Sequence, residues 1–194
     1  MPREAERPLS IAADGRCAIR LSGSGGQGVI LAATLLAEAA VASGKEVVAT
    51  QSYGPEARGG ASQAAVILSD TEIDYPEVDA ADLTLCLSQA AFDKFAPQTR
   101  RDGLVLFDSG LVKPGGRGAR RLGMAFTQTA EREAGTPLAA NVVAVGAIVG
   151  LAPTLVGREA VADCVRRRLP EKAVEANLRA LAAGIGLAEG ALGR

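Results

Sequence analysis

The chain has 194 residues, of which 48% are hydrophobic and 22% charged, the balance of a soluble globular protein with one large domain. Its net charge of −1 gives no electrostatic reason to expect nucleic acid or an anionic membrane as a partner. It contains no histidine and three widely spaced cysteines, so we expect no metal held by this chain alone and a reducing, cytoplasmic setting.

The first half of the chain alternates strand and helix patterns behind a short lead-in. Residues 1–15 have no apolar stretch of signal-peptide length, and we expect them to be flexible. Residues 17–22 predict a strand that enters a glycine-rich turn, and the apolar segment 29–42 predicts a largely buried helix. Residues 46–50 predict a second strand. The segments that follow predict a β-hairpin that turns at Asp70-Thr71, with arms at 61–70 and 72–76.

The second half continues the alternation and then becomes helical. Apolar runs predict strands at 82–87, 104–108 and 122–126, with a short helix at 89–95. The uncharged segment 134–157 approaches the length of a membrane span, but glycines and Pro153 interrupt it, so we predict a buried helix over 137–151. Further helices are predicted at 157–168 and 171–183. The alternation predicts the α/β class: a single three-layer, Rossmann-like domain with a mostly parallel sheet and an antiparallel hairpin.

The turn "SGSGGQGV" has the G-x-G-x-x-G spacing of dinucleotide-binding turns, at Gly23, Gly25 and Gly28. An NAD site also needs an acidic residue at the end of the second strand, but Glu46 stands at its beginning. A P-loop needs Lys and then Ser or Thr after Gly28, where two apolar residues follow. Two interpretations remain open: an anion-binding start of the helix, or glycines that only allow a tight turn.

The segment "QSYGPEARGGASQ", residues 51–63, follows the second predicted strand. Ligands of open α/β sheets bind outside the carboxyl ends of the strands, where both this segment and the glycine-rich turn emerge. If the two strands are neighbours, Arg58 can meet an anion held over the turn, and Tyr53 can stack or donate a hydrogen bond. The alternatives are a surface pair between Arg58 and Glu56, or a partner interface with Tyr and Arg as anchors.

Both segments, together with "SDTEIDYP" and "AANVVAVGAIVGL", resemble the gamma subunit of 2-oxoacid:ferredoxin oxidoreductases. The resemblance extends over nearly the whole chain. It is greatest to the version in 2-oxoglutarate:ferredoxin oxidoreductases, where "GGQGV" and "SYGPEARGGAS" occur together. The resemblance implies that residues 16–194 form a gamma-type catalytic domain of a multi-subunit enzyme.

The resemblance also implies the chemistry of the complete enzyme. It decarboxylates a 2-oxoacid oxidatively, forms an acyl-CoA and passes two electrons to ferredoxin or another acceptor. Thiamine diphosphate, Mg²⁺ and [4Fe-4S] clusters belong to companion alpha, beta and ferredoxin-like delta subunits. This chain contributes to CoA binding and to closure of the active site. The favoured substrate is 2-oxoglutarate, and the alternatives are pyruvate, a branched-chain 2-oxoacid, or an aryl 2-oxoacid such as phenylglyoxylate or indolepyruvate.

The resemblance, taken with the two segments, assigns roles to particular residues and no catalytic acid, base or nucleophile. The residues expected to bind CoA are Gly23, Ser24, Gly25, Gly26, Gln27, Gly28 and Arg58. The residues expected to position the loop or to contact a partner are Ser52, Tyr53, Glu56, Gly59 and Gly60. Two alternatives of other classes remain: a structural subunit that binds no ligand, and a free-standing NAD(P)-dependent enzyme.

Overall fold

The computed structural model describes residues 15–52 and 61–193. Strands and helices alternate through the first two thirds of the chain, and helices follow. The strands are β1 (Cys17–Ser24), β2 (Glu46–Ser52), β3 (Ala61–Ser69), β4 (Ala81–Cys86), β5 (Thr99–Asp108) and β6 (Arg120–Met124). The α-helices are α1 (Val29–Ala42), α2 (Gln89–Phe95), α3 (Phe126–Ala134), α4 (Ala140–Leu151), α5 (Arg158–Arg168) and α6 (Glu171–Ala191).

The six strands form one mixed sheet in the order β2–β3–β1–β4–β5–β6. β1, β4, β5 and β6 are parallel, whereas β3 is antiparallel to both β1 and β2. Because β3 is antiparallel to both of its neighbours, β2 runs in the same direction as β1. The carboxyl ends of β1 and β2 therefore lie at one edge of the sheet, beside the start of β3, where Ser62 pairs with Gly23 and Gln63 pairs with Ser52.

The hydrophobic core divides between the two faces of the sheet. One face packs with α1 and α4 in the large apolar cluster, and all twelve residues of α4 are buried. α4 and α6 approach so closely at Gly184 that a Cβ atom there would overlap the carbonyl oxygen of Val143, and the lack of a side chain at Gly184 makes this contact possible. The opposite face carries a smaller cluster around α2, in which Phe92 and Phe107 meet edge to face at 5.7 Å. This three-layer arrangement confirms the predicted α/β class.

The predicted hairpin at Asp70-Thr71 is wrong. Residues 72–76 form no strand, and β3 instead pairs on both sides, with β1 and with β2. Residues 72–76 are exposed apart from the half-buried Ile73, and no edge of β3 is left for them because β1 and β2 occupy both. The antiparallel part of the sheet is thus formed by β3 inserted between β1 and β2. The assumption that the first two predicted strands are neighbours in the sheet is also wrong, because β3 lies between β1 and β2.

Several boundaries also differ from the predictions. The strand predicted at 122–126 ends at Met124, and Phe126 begins α3, a helix that the sequence patterns did not indicate. The predicted helix 171–183 continues to Ala191. The buried helix predicted over 137–151 consists of a 3-10 turn, Pro137–Ala139, followed by α4. Within the described ranges, none of the helices is both long and apolar enough to cross a membrane.

Candidate functional site

The glycine-rich turn joins β1 to α1 at the carboxyl edge of the sheet. Gly28 is the N-cap of α1 with φ of +69°, and Gly26 has φ of +86°, a region that side chains other than glycine disfavour. Gly28 has no side chain to cap the helix, and the first turn of α1 carries no acidic residue. The N–H groups of that first turn are therefore left to an outside acceptor, and the helix dipole favours a negatively charged one.

Gln27 ties the turn to the neighbouring strand. Its Oε1 accepts a hydrogen bond from the backbone N–H of Ser24 at 2.7 Å, and its Nε2 donates to the carbonyl oxygen of Leu87, just beyond β4, at 2.8 Å. A Cβ atom at Gly23 would lie 2.7 Å from the same Oε1, so the absence of a side chain there makes room for Gln27. Gln27 thus fixes the shape of the turn and does not extend freely into solvent.

Asn141 holds the turn from the other side. This side chain is only 3% exposed, and its Nδ2 donates to the carbonyl oxygen of Gly28 at 3.1 Å. Its Oδ1 accepts from the backbone N–H of Val142 at 2.9 Å. The sequence patterns did not identify Asn141 as part of the site. The available signal was the single amide in an otherwise apolar, uncharged helix, because a buried amide requires hydrogen-bond partners.

The tip of the turn is open. Ser24, Gly25 and Gly26 are exposed, and a Cβ atom built at Gly25 or Gly26 would meet no atom within 4 Å. The tip of the turn is therefore open to solvent, whereas Val29, the first residue of α1, is buried. The structure brings together the six predicted residues from Gly23 to Gly28, with the base of the turn fixed and its tip accessible.

The second predicted segment leaves and re-enters the sheet beside this turn. β2 ends at Ser52, and β3 begins at Ala61, which pairs with Ser24 of the turn. Tyr53, Glu56, Arg58, Gly59 and Gly60 lie outside the described residues, so their roles, and the meeting of Arg58 with an anion, stay predictions.

The cysteines have the properties of packed thiols. Burial raises the pKa of Cys17 and of Cys86 to about 12, and it also raises the pKa of Cys164. At neutral pH all three are protonated, whereas a nucleophile or a cluster ligand must be a thiolate. A [4Fe-4S] cluster needs four cysteine ligands, and the whole sequence has three cysteines. No group of three or more His, Cys, Asp and Glu side chains with metal-binding geometry occurs in the described residues.

Comparisons with known proteins agree with this architecture. A family model described as pyruvate ferredoxin/flavodoxin oxidoreductase matches residues 18–187. The 2-oxoglutarate synthase subunit KorC of Archaeoglobus fulgidus is 47% identical, over 86% of this chain and 84% of its own. The ketoisovalerate oxidoreductase subunit VorA of Methanothermobacter thermautotrophicus is 34% identical over 86% of this chain, which spans 35% of that longer protein.

Solved structures show the same fold. The gamma subunit of a keto/oxoacid ferredoxin oxidoreductase from Geobacter sulfurreducens superposes with a TM-score of 0.82 and 41% identity, covering 91% of this chain and 98% of that one. The 2-oxoglutarate:ferredoxin oxidoreductase of Magnetococcus marinus, solved with 2-oxoglutarate, coenzyme A and succinyl-CoA, gives a TM-score of 0.81 at 22% identity, covering 90% of this chain and 31% of that one. The chain therefore belongs to the pyruvate ferredoxin/flavodoxin oxidoreductase family, as a gamma-type subunit of a 2-oxoacid:ferredoxin oxidoreductase.

Proposed function

We propose that the complex containing this chain oxidises 2-oxoglutarate to succinyl-CoA. The observation that carries this proposal is the 47% identity with a 2-oxoglutarate synthase subunit, over most of both chains. The identity with a ketoisovalerate oxidoreductase subunit is lower, at 34%, which makes a branched-chain 2-oxoacid the second candidate. Pyruvate and aryl 2-oxoacids complete the alternatives.

We further propose that the glycine-rich turn contacts coenzyme A. The support is chemical: exposed Gly25 and Gly26, an uncapped helix N-terminus, and a base held by Gln27 and Asn141 together suit a phosphate-bearing ligand. Coenzyme A, when bound, supplies the thiol that accepts the acyl group. The backbone N–H groups of the turn would hold its phosphates, and Arg58 would add a positive charge. Closure of the active site by the segment 51–63 belongs to the same proposal.

The remaining cofactors are assigned to companion chains. Thiamine diphosphate with Mg²⁺, and the [4Fe-4S] clusters, would reside in alpha, beta and ferredoxin-like delta subunits. For the clusters the support is that this chain lacks the four cysteines that one cluster needs. Electrons would leave to ferredoxin or another acceptor. The three free, buried thiols suit a reducing compartment, and we place the complex in the cytoplasm.

The substrate is tested with the assembled complex. We expect CoA-dependent reduction of a viologen dye with 2-oxoglutarate, at a kcat/KM at least about tenfold above that with pyruvate or 3-methyl-2-oxobutanoate. A preference for the branched-chain acid would replace the proposed substrate by the second candidate. Activity without added CoA would remove acyl-CoA formation from the proposal.

The coenzyme A contact is tested by calorimetric titration of CoA into the same complex. We expect Gly25→Asp and Arg58→Ala to weaken binding about tenfold, because the first adds a negative charge at the turn and the second removes a positive one. Gly186→Asp is the matched control, because Gly186 is exposed on α6 and a Cβ atom there would meet no atom within 4 Å. Equal CoA affinity in all variants would favour the alternative of a structural subunit that binds no ligand.

A further inference from the structure

One buried cation is not used by the site described above. Arg20 lies on β1, on the face of the sheet that carries α2, and is only 5% exposed. Its Nη2 donates to the carbonyl oxygen of Val78 at 2.5 Å. Its Nε and Nη1 are buried and have no hydrogen-bond partner in the described part of the chain. A guanidinium has five N–H donors, so most of this group's capacity is unused.

The surroundings of Arg20 only partly balance its charge. Burial lowers the pKa of Arg20, and the negative charge of Asp79 acts in the opposite direction. The guanidinium carbon stands 5.8 Å from the centre of the Phe95 ring. Among the described residues, no carboxylate forms an ion pair with Arg20. Because an arginine stays charged even when buried, a further anionic partner would stabilise it.

A groove of about 300 Å³ adjoins this side chain. Arg20 forms part of its wall, and Thr50, the segment from Gln63 to Ala65 and the segment from Glu77 to Asp79 form the rest. The groove lies beside β2, the edge strand of the described sheet, and residues Ala49 to Gln51 of that strand are exposed. An exposed edge strand is a site at which another polypeptide can pack. The groove and the edge strand thus form one continuous surface.

We propose that this groove receives an acidic side chain of a companion subunit, whose carboxylate becomes the partner of Arg20. The pairing requires a rotation of the guanidinium, because Nε and Nη1 are buried, and interface side chains often change rotamer on binding. Arginine with carboxylate is a strong, charge-assisted pair. This inference rests on the proposed assembly with companion subunits.

The charges at the rim favour a polypeptide over a small free anion. Glu77 and Asp79 are exposed there, and they repel a small molecule that carries only negative charge. A folded partner can present one carboxylate to Arg20 and neutral or basic groups to the rim. The related subunit VorA, in which this domain matches 35% of the chain, is a protein with further polypeptide joined to the same domain.

The test immobilises this chain on a sensor surface, titrates the co-purified companion subunits over it, and measures their binding affinity. Arg20→Met removes the charge but keeps a long apolar side chain, and Thr50→Trp fills the groove without changing Arg20. We expect each variant to weaken association about tenfold or more. Arg158→Met is the control, because Arg158 is an exposed arginine on α5 that is paired with Glu189. It is expected to associate like the wild type, and urea unfolding verifies that each variant is folded.

The outcomes separate the possible explanations. If Arg20→Met and Thr50→Trp both associate as tightly as the wild type, the groove is not a docking site. If citrate instead perturbs the amide resonances of Thr50 and Gln63 in the isolated chain and association is unaffected, the carboxylate comes from a free molecule and the docking proposal is wrong. A wild-type chain that does not associate at all would overturn the assignment of companion subunits as well. The dye-reduction assay tests the 2-oxoglutarate proposal independently.

Discussion

Replacing Gly28 by alanine tests how the candidate site is built. Gly28 has φ of +69°, and its carbonyl oxygen accepts the hydrogen bond from Asn141. A Cβ atom at this position would overlap Nδ2 of Asn141 and lie 3.1 Å from its Cγ. Asn141 is buried, so its side chain has little room to move away. The substitution therefore combines backbone strain with the loss of a buried hydrogen bond.

The magnitude follows from these two effects. A left-handed conformation costs a residue with a Cβ atom about 1–2 kcal/mol. The lost hydrogen bond from Asn141 removes about 0.5–1.5 kcal/mol more. We expect Gly28→Ala to lower the free energy of unfolding by about 1.5–3.5 kcal/mol, which corresponds to about 3–14 °C in Tm for a domain of this size.

The assay is urea unfolding followed by circular dichroism, with Gly25→Ala as the matched control. Gly25 is exposed, has no positive φ, and a Cβ atom there meets no atom within 4 Å, so we expect a change within about 0.5 kcal/mol. A Gly28→Ala protein as stable as the Gly25→Ala protein would refute the tethering of the turn by Asn141. An altered m-value would indicate a change in the unfolded state, and the comparison would then use Tm.

Three further predictions follow from the same structure. Gly184→Ala is expected to destabilise the chain by about 1–3 kcal/mol in thermal unfolding, because its Cβ atom overlaps the α4 backbone. Gly186→Ala, on the exposed side of α6, is expected to stabilise the chain by about 0.5–1 kcal/mol. Equal effects of the two substitutions would contradict the close contact between α4 and α6. Gln27→Ala is expected to raise the KM for CoA about fivefold with kcat little changed. Gln27→Glu is expected to have a larger effect, because it loses the donor to Leu87 and adds a negative charge at the turn. Steady-state kinetics of the complex measure both variants, and an unchanged KM would separate the turn from CoA. Burial raises the pKa of Cys17 and Cys86 to about 12, so the folded chain retains two protons that the unfolded chain loses above about pH 8.5. The stability from these thiols is present below about pH 8.5 and is lost as pH rises toward 12, by about 1.4 kcal/mol per pH unit for each thiol. Replacing both cysteines by alanine should therefore remove most of the fall in the free energy of unfolding, measured in urea, between about pH 8.5 and about pH 10.

The sequence patterns predicted the elements whose signal is local. The helix at 29–42 and the helix at 89–95 agree with α1 and α2 in both bounds, because each is a compact run with clear end signals. The glycine spacing likewise predicts the turn between β1 and α1. In the structure Gly26 and Gly28 adopt the positive φ values that glycine permits. The strand 46–50 was predicted with its acidic residue at the wrong end for NAD, and β2 does begin at Glu46.

Pairing between strands was less predictable. The apolar run that forms β3 is equally suited to a hairpin with the next segment or to a position between two other strands. The alternation of its side chains does not specify which strand it pairs with. The structure places it between β1 and β2, and thereby brings the start of β3 beside the glycine-rich turn. The tether from Asn141 to Gly28 was missed for the same reason, since the two residues are 113 positions apart.

By itself, the sequence determined the α/β class, the glycine-rich turn, the family resemblance and the shortage of cluster ligands, because these depend on residue identity and short-range pattern. The tertiary structure alone decided the position of β3, the fixing of the turn by Gln27 and Asn141, and the burial of Arg20 beside a groove. Each of these depends on contacts between residues far apart in the chain, whose geometry is set by the packing of whole elements and not by local propensity.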